Sequence, residues 1–184
     1  MVNINFTPFP ILTTERLTLR PLSIDDQQDI FALRSDAEIN KYLGRAPSQT
    51  IEDAINFINK INDNIQKNNS IYWAITLTKT KTFVGTICLF DFSAEKNSCE
   101  IGYELMTKFQ NQGIMKEAVA EVIAYAFETL QFQKIVAFTH NENQHSTKLL
   151  KKFNFLQSPE IDKENPDCAI FTLEKDMNNK GQNH

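Results

Sequence analysis

Between residues 99 and 130 the spacing of apolar side chains changes once, and that change limits the folds open to this chain. Cys99 to Met106 reads as a strand, whereas Val119, Val122, Ile123, Ala126, Phe127 and Leu130 mark one face of a helix. The two are joined by Gln110-Asn111-Gln112-Gly113-Ile114-Met115, a turn with a single glycine that runs directly into Lys116-Glu117-Ala118-Val119. A turn of this kind points several backbone N–H groups at one spot, and the start of the helix adds unpaired amides and a positive dipole end. That is a device for holding phosphate or pyrophosphate. A lone glycine in this position also serves as a plain tight turn, so its neighbours decide between the two.

The neighbours describe a mixed sheet. Thr14 to Leu22 alternates apolar and polar residues, as a half-exposed strand does. Ser23 to Tyr42 reads as one helix, with Asp25 or Asp26 near its start and Gly44 and Pro47 beyond its end. Ser48 or Thr50 caps a second helix in which Ile51, Ile55, Ile58, Ile61 and Ile65 recur at helical spacing. Ile71–Leu77 and Phe83–Phe90 form a hairpin across residues 78–82, and Cys99 to Met106 follows. Lys134 to Thr139 is a strand, Ser146 to Phe153 a short helix, and Ala169 to Leu173 a last strand. Two helices, an antiparallel meander and then a β-α-β-α-β run predict an α/β (α+β) fold: a mixed, mostly antiparallel sheet with helices on both faces. We expect one domain over residues 1–175, with a polar, frayed tail from 176 to 184.

Composition narrows the function. A net charge of −4 argues against a general nucleic-acid binder. Cys88, Cys99 and Cys168 follow no zinc or redox spacing and read as buried free thiols. His140 and His145 have no cysteine or carboxylate cluster near them, so no metal is expected. No apolar run is long enough for a membrane span, and the first residues lack a basic end followed by an apolar stretch. A cytoplasmic protein with no membrane contact is the expectation.

An ordered series of segments carries a resemblance. It begins with Leu12-Thr13-Thr14-Glu15-Arg16-Leu17-Thr18-Leu19-Arg20-Pro21-Leu22, Phe83-Val84-Gly85-Thr86-Ile87 and Glu100-Ile101-Gly102-Tyr103-Glu104-Leu105. It continues with the Gln110–Met115 turn, Glu117-Ala118, Tyr125-Ala126-Phe127, Asn143-Gln144-His145-Ser146 and Leu150-Lys151-Lys152-Phe153-Asn154-Phe155. Together these resemble the Gcn5-related N-acetyltransferase (GNAT) superfamily, in its RimJ/RimL-like ribosomal-protein N-terminal acetyltransferase branch. The resemblance implies a sheet with a splayed central strand pair and acetyl-CoA, as co-substrate, held between the splayed strands. By position, backbone groups of Leu105 and Met106 would pair with the pantetheine arm. Gln110, Asn111, Gln112, Gly113, Ile114 and Met115 would form the pyrophosphate loop, and Asn143 and Ser146 would contact the CoA arm or its sulfur. Met115 stands where the family usually has Gly or Ala, and Asn154 where it usually has Gly. Leu150 takes the place of a tyrosine acid that some members carry, so this chain lacks that proton donor.

Acetyl transfer from a thioester to an amine needs a neutral, aligned amine, an N–H for the developing oxyanion and a proton acceptor. Glu100, Gly102 and Glu104 share one strand face, opposite Ile101, Tyr103 and Leu105. Glu100 or Glu104 is the candidate proton relay. Ser146 is the candidate sulfur contact or only a helix cap, and Tyr103 is a core aromatic or a proton donor. The expected reaction is direct acetyl transfer to a primary amine, either a protein N-terminus or a small molecule. Strand edges and helix faces of this fold support dimers, which leaves a homodimer open. Two competing readings are a non-catalytic acyl-CoA-binding or sensor domain and an interaction domain in which Gly113 only turns the chain.

Overall fold

The computed structural model describes residues 4–175, so the expected tail over 176–184 lies outside the described residues. Among the described residues eight strands form one sheet, in the order β1-β2-β3-β4-β5-β6-β8-β7. They are β1 (Leu12–Thr13), β2 (Leu17–Pro21), β3 (Ile71–Leu77), β4 (Phe83–Ser93), β5 (Ser98–Leu105), β6 (Lys134–His140), β7 (Leu156–Ile161) and β8 (Cys168–Glu174). Every neighbouring pair is antiparallel except β5 and β6, which run parallel. The helices are α1 (Gln27–Ser35), α2 (Ala37–Asn40), α3 (Ile51–Gln66), α4 (Ile114–Ala124) and α5 (Gln144–Lys152).

Two adjacent residues of β3 show why both faces of the sheet are covered. Tyr72 meets Phe57 of α3 edge-on at 5.6 Å, while Trp73 points the other way and meets Tyr125, just past α4, at 5.6 Å. Successive strand side chains face opposite sides, so helices on both faces bury β3 from Ile71 to Thr76. Full burial of each large apolar side chain here contributes roughly 1.5–3 kcal/mol. Trp73 also donates its indole N–H to the Pro10 carbonyl at 2.8 Å, so its one polar group is satisfied.

The structure corrects the single helix expected over Ser23–Tyr42. A short 3₁₀ turn, Ile24–Asp26, precedes α1, and the chain then turns extended at Asp36 before α2. The Asp36 carboxylate caps α2 by accepting from the Glu38 and Ile39 amides. Asn40 returns its side-chain amide to the Arg34 and Asp36 carbonyls, which secures the break. Thr50, not Ser48, caps α3, in a reciprocal capping box with Asp53. The hairpin strand β4 runs on to Ser93, past the expected end at Phe90. β1 and β7 were not expected. β1 is only two residues long, and β7 (LQSPEI) is an exposed edge strand carrying Pro159, so neither shows the apolar alternation of a buried strand.

Gly85 sits where β4 comes closest to β5. A Cβ there would run into the Glu104 carbonyl oxygen and lie 3.0 Å from Leu105 Cα. Gly85→Ala is therefore expected to destabilise the fold by about 1–3 kcal/mol through overpacking against main chain. Urea unfolding measures this, and a midpoint equal to that of the unmodified protein would contradict it.

Candidate active site

The parallel ladder between β5 and β6 is short. Ser98, Cys99 and Glu100 pair with Lys134, Ile135 and Val136, and beyond them the two strands are no longer paired. On its other side β5 stays bound to β4 as far as Gly85 and Leu105. The Met106 N–H bonds the Val84 carbonyl at 2.9 Å, which fixes the alternation along β5. The even residues from Glu100 to Met106 turn their amides toward β4, so the N–H and C=O of Tyr103 and Leu105 face the gap left by β6. The Met106 carbonyl accepts from the Phe109 amide at 2.9 Å, so both its backbone groups are engaged within the chain. Of Leu105 and Met106, Leu105 turns its amide to the gap, whereas the Met106 amide is spent on β4.

The candidate anion loop follows. Asn111 and Gly113 both have positive φ, 60° and 75°. The start of α4 has no side-chain cap, so a ligand could take its free amides. Ile114 and Met115 are buried in the core while Asn111, Gln112 and Gly113 are exposed. The Met115 side chain thus turns away from the place where an anion would sit. Gln110 braces the loop by donating to the Leu105 carbonyl at 3.2 Å. Just before β2, Arg16 bonds the Glu117 carboxylate at 2.6 Å and the Gln112 carbonyl at 3.1 Å. Burial works against ionised Glu117, but hydrogen bonds from Thr14 and Arg16 outweigh it and hold the carboxyl below its usual value.

Across the gap, the Tyr103 and Ser146 hydroxyls lie 2.9 Å apart. Asn143 caps α5, its side-chain oxygen accepting from the Ser146 amide at 3.1 Å, which leaves the Ser146 hydroxyl free for Tyr103. Burial pushes the Tyr103 phenol up to about 12. An ordinary thiol sits near 8.5, so Tyr103 suits donating a hydrogen bond to a leaving sulfur better than giving up its proton. Leu150 is buried.

On the sheet face that Tyr72 shares with α3, two cavities adjoin. One, of about 210 Å³, is lined by Arg34, Leu43, Arg45, Phe57, Tyr72, Thr86, Cys88, Gly102, Tyr103 and Glu104. The other, of about 520 Å³, shares Tyr72 and Cys88 and includes Phe90, Asp91 and Glu100. Glu104 is largely buried and pairs with Arg45 at 2.5 Å. Burial raises its carboxyl, and the opposing pull of Arg45 and Arg34 does not cancel that. Burial and the nearby Asp91 raise Glu100 to about 7.

The alternation of β5 brings Glu100 and Glu104 onto one face, as read from the sequence, and Tyr103 beside Ser146. Sequence reasoning did not find Arg34, Arg45 or Arg16, which reach the site from other elements. The only signal of Arg16 in the chain is its place in the Leu12–Leu22 segment. The histidines take no part in a metal cluster among the described residues: His140 stacks on Tyr42 at 5.3 Å, and His145 is exposed.

The acetyltransferase (GNAT) domain family matches residues 16–156. The uncharacterized N-acetyltransferase YoaA of Bacillus subtilis (strain 168) is 34% identical over 147 residues, 80% of this chain and 83% of its own length. Among solved structures, RimL, a ribosomal L7/L12 alpha-N-protein acetyltransferase in complex with coenzyme A, superposes with a TM-score of 0.80. It shares 16% identity, and the match covers 91% of this chain and 99% of that one. Spermidine N-acetyltransferase from Vibrio cholerae, in complex with CoA and spermine, superposes with a TM-score of 0.76 at 19% identity over 88% of this chain and 96% of its own. The fold and its splayed strands are those of an acyltransferase, and the chain belongs to the GNAT acetyltransferase family. Its class of reaction is acetyl transfer to an amine. Among the described residues no helix is long and apolar enough to cross a membrane.

Glu100 gives this site a pH signature. Its folded carboxyl titrates near 7 against an ordinary 4.5, so the native state holds the proton more tightly than the unfolded chain. That contribution to stability is complete below about 4.5 and is lost as pH rises through about 7. Glu100→Gln should flatten the fall in melting temperature between pH 5 and pH 8. An unchanged slope would contradict the assignment.

Proposed function

We propose that this protein moves an acetyl group from acetyl-CoA directly to a primary amine, with the donor along the open edge of β5 and the acceptor in the cavity beside Glu104. The observation that carries this reading is the edge of β5 left without a strand partner, where the Tyr103 N–H and C=O and the Leu105 N–H face the gap beside the uncapped start of α4. Acetyl-CoA supplies a thioester whose carbonyl carbon is open to attack by an amine. The residues present suit it: the amides of Asn111 to Met115 for the pyrophosphate, and the Tyr103 and Leu105 edge for the pantetheine arm and the developing oxyanion.

In the reaction the acetyl carbon loses its bond to sulfur and gains one to the amine nitrogen, and the amine loses a proton. Glu104 is the proposed proton acceptor. It lines the cavity next to the open edge, and its raised carboxyl is nearer the working pH than an ordinary glutamate. Glu100 lies where β5 and β6 still pair, four residues or roughly 13 Å back along the strand at about 3.3 Å per residue. It fits the far end of the groove better than the reacting centre. The Tyr103 and Ser146 pair would steady the departing thiolate by hydrogen bonding, and solvent would protonate it.

A thiol-release assay with acetyl-CoA and a panel of peptides and small amines tests the reading. Glu104→Gln should lower kcat by about 10²–10⁴-fold while acetyl-CoA still raises the melting temperature. Ser146→Ala and Tyr103→Phe should each lower kcat by roughly 10–100-fold, the range for a hydrogen bond to a charged group. Stabilisation by acetyl-CoA without thiol release to any amine would indicate a binding or sensor domain. No stabilisation at millimolar acetyl-CoA would remove the donor site altogether.

A further inference from the structure

The cavity beside Glu104 holds more positive charge than its own residues neutralise. Arg45 is well used: its Nε donates to Asn40 at 2.8 Å and its Nη1 pairs with Glu104, yet its Nη2 is buried without a hydrogen bond. Arg34 is used less. Its guanidinium lies 3.8 Å above the Phe57 ring, its Nε is buried without a hydrogen bond, and among the described residues no carboxylate lies within ion-pair distance. Among the residues that line this cavity, two guanidiniums stand against the single carboxylate of Glu104, while Glu100 and Asp91 line the adjoining one. Buried donors without acceptors are costly, and like charges held close add to that cost. A ligand carrying one negative group would satisfy both guanidiniums, and Glu104 Oε2, also buried without a hydrogen bond, would accept from its amine. The guanidinium fork matches a carboxylate, and its stacking on Phe57 fixes the plane of the fork before a ligand arrives.

Size and place complete the argument. A volume of about 210 Å³ lies below the range for drug-sized ligands, about 300–1,000 Å³, so the ligand is small. Gly102, Tyr103 and Glu104 line the same cavity, so a molecule anchored there lies against the strand whose far edge faces the donor gap. A polyamine would bring more positive charge to a cavity that already has an excess. A peptide N-terminus has its α-carboxyl tied up in the amide.

Resting on the acetyltransferase reading above, we propose that the acceptor is a small primary amine bearing a carboxylate, of the amino-acid type, with Arg34 and Arg45 holding the carboxylate. Arg34 is a specificity residue for the acceptor and takes no part in holding the donor.

The experiment is thiol release from acetyl-CoA with free amino acids, each beside its amide and its decarboxylated amine. The unmodified protein should show a KM at least tenfold lower for the free acid than for either partner. Arg34→Gln should raise that KM about 10–100-fold, with the KM for acetyl-CoA and the acetyl-CoA thermal shift unchanged, and Arg34→Lys should recover part of the loss. The unchanged thermal shift shows that the variant is folded. Equal KM values for acid, amide and amine would overturn the inference while leaving acetyl transfer standing, as would a preference for peptides or polyamines. Absence of thiol release with every amine, together with no stabilisation by acetyl-CoA, overturns the acetyltransferase reading and this inference with it.

Discussion

The architecture depends on where one hydrogen-bonded ladder stops. β5 and β6 hold each other through three residue pairs and then separate, although the outer edge of each remains zipped to an antiparallel neighbour. Sheet edges normally seek a partner, and an unpaired one inside a sheet is an opening with its donors and acceptors already aimed. The gap survives because β4 grips β5 on one side and β8 grips β6 on the other along its whole length. The starts of α4 and α5 then follow the two diverging strands, so both lie near the opening.

Around that opening the charges divide by side. On the proposed donor side, backbone N–H groups and a helix start face the opening, with the Arg16 guanidinium bonded to the loop at Gln112. The proposed acceptor side is lined by two arginines and a glutamate sunk between them. Because Glu104 is largely buried, its charge state is set by burial and by the guanidiniums and not by bulk water. In the proposed reading the tasks separate on β5: its edge would serve one substrate and the side chain of Glu104 the other.

Much of this was legible in the chain. The alternation of β5, the glycine turn and the apolar stripe of α4 are local patterns, and they gave the sheet, the loop and the shared face of Glu100 and Glu104. Four things were not legible, for different reasons. The break at Asp36 comes from side-chain capping that competes with an otherwise continuous helical pattern. β7 lies on an exposed edge, where no buried face imposes an alternation. Arg34 and Arg45 meet Glu104 from some 60–70 positions away, and no spacing rule links residues that only tertiary packing brings together. The backbone facing of Met106 depends on the phase of the β4 ladder, which residue types alone do not encode.

Gly85 shows how closely folding and chemistry are joined here. It lies on β4, carries no side chain and lines neither cavity, yet the main chain of Glu104 occupies the space where its Cβ would go. Any larger residue would have to push on the peptide that holds the proposed base. In a survey of substitutions this position would behave as an active-site residue, with lost turnover preceding lost folding. For this enzyme, intolerance to change is therefore a poor guide to which residues meet the substrate. Arg34 is the inverse case in the proposed reading, since its replacement should show when the acceptor is varied.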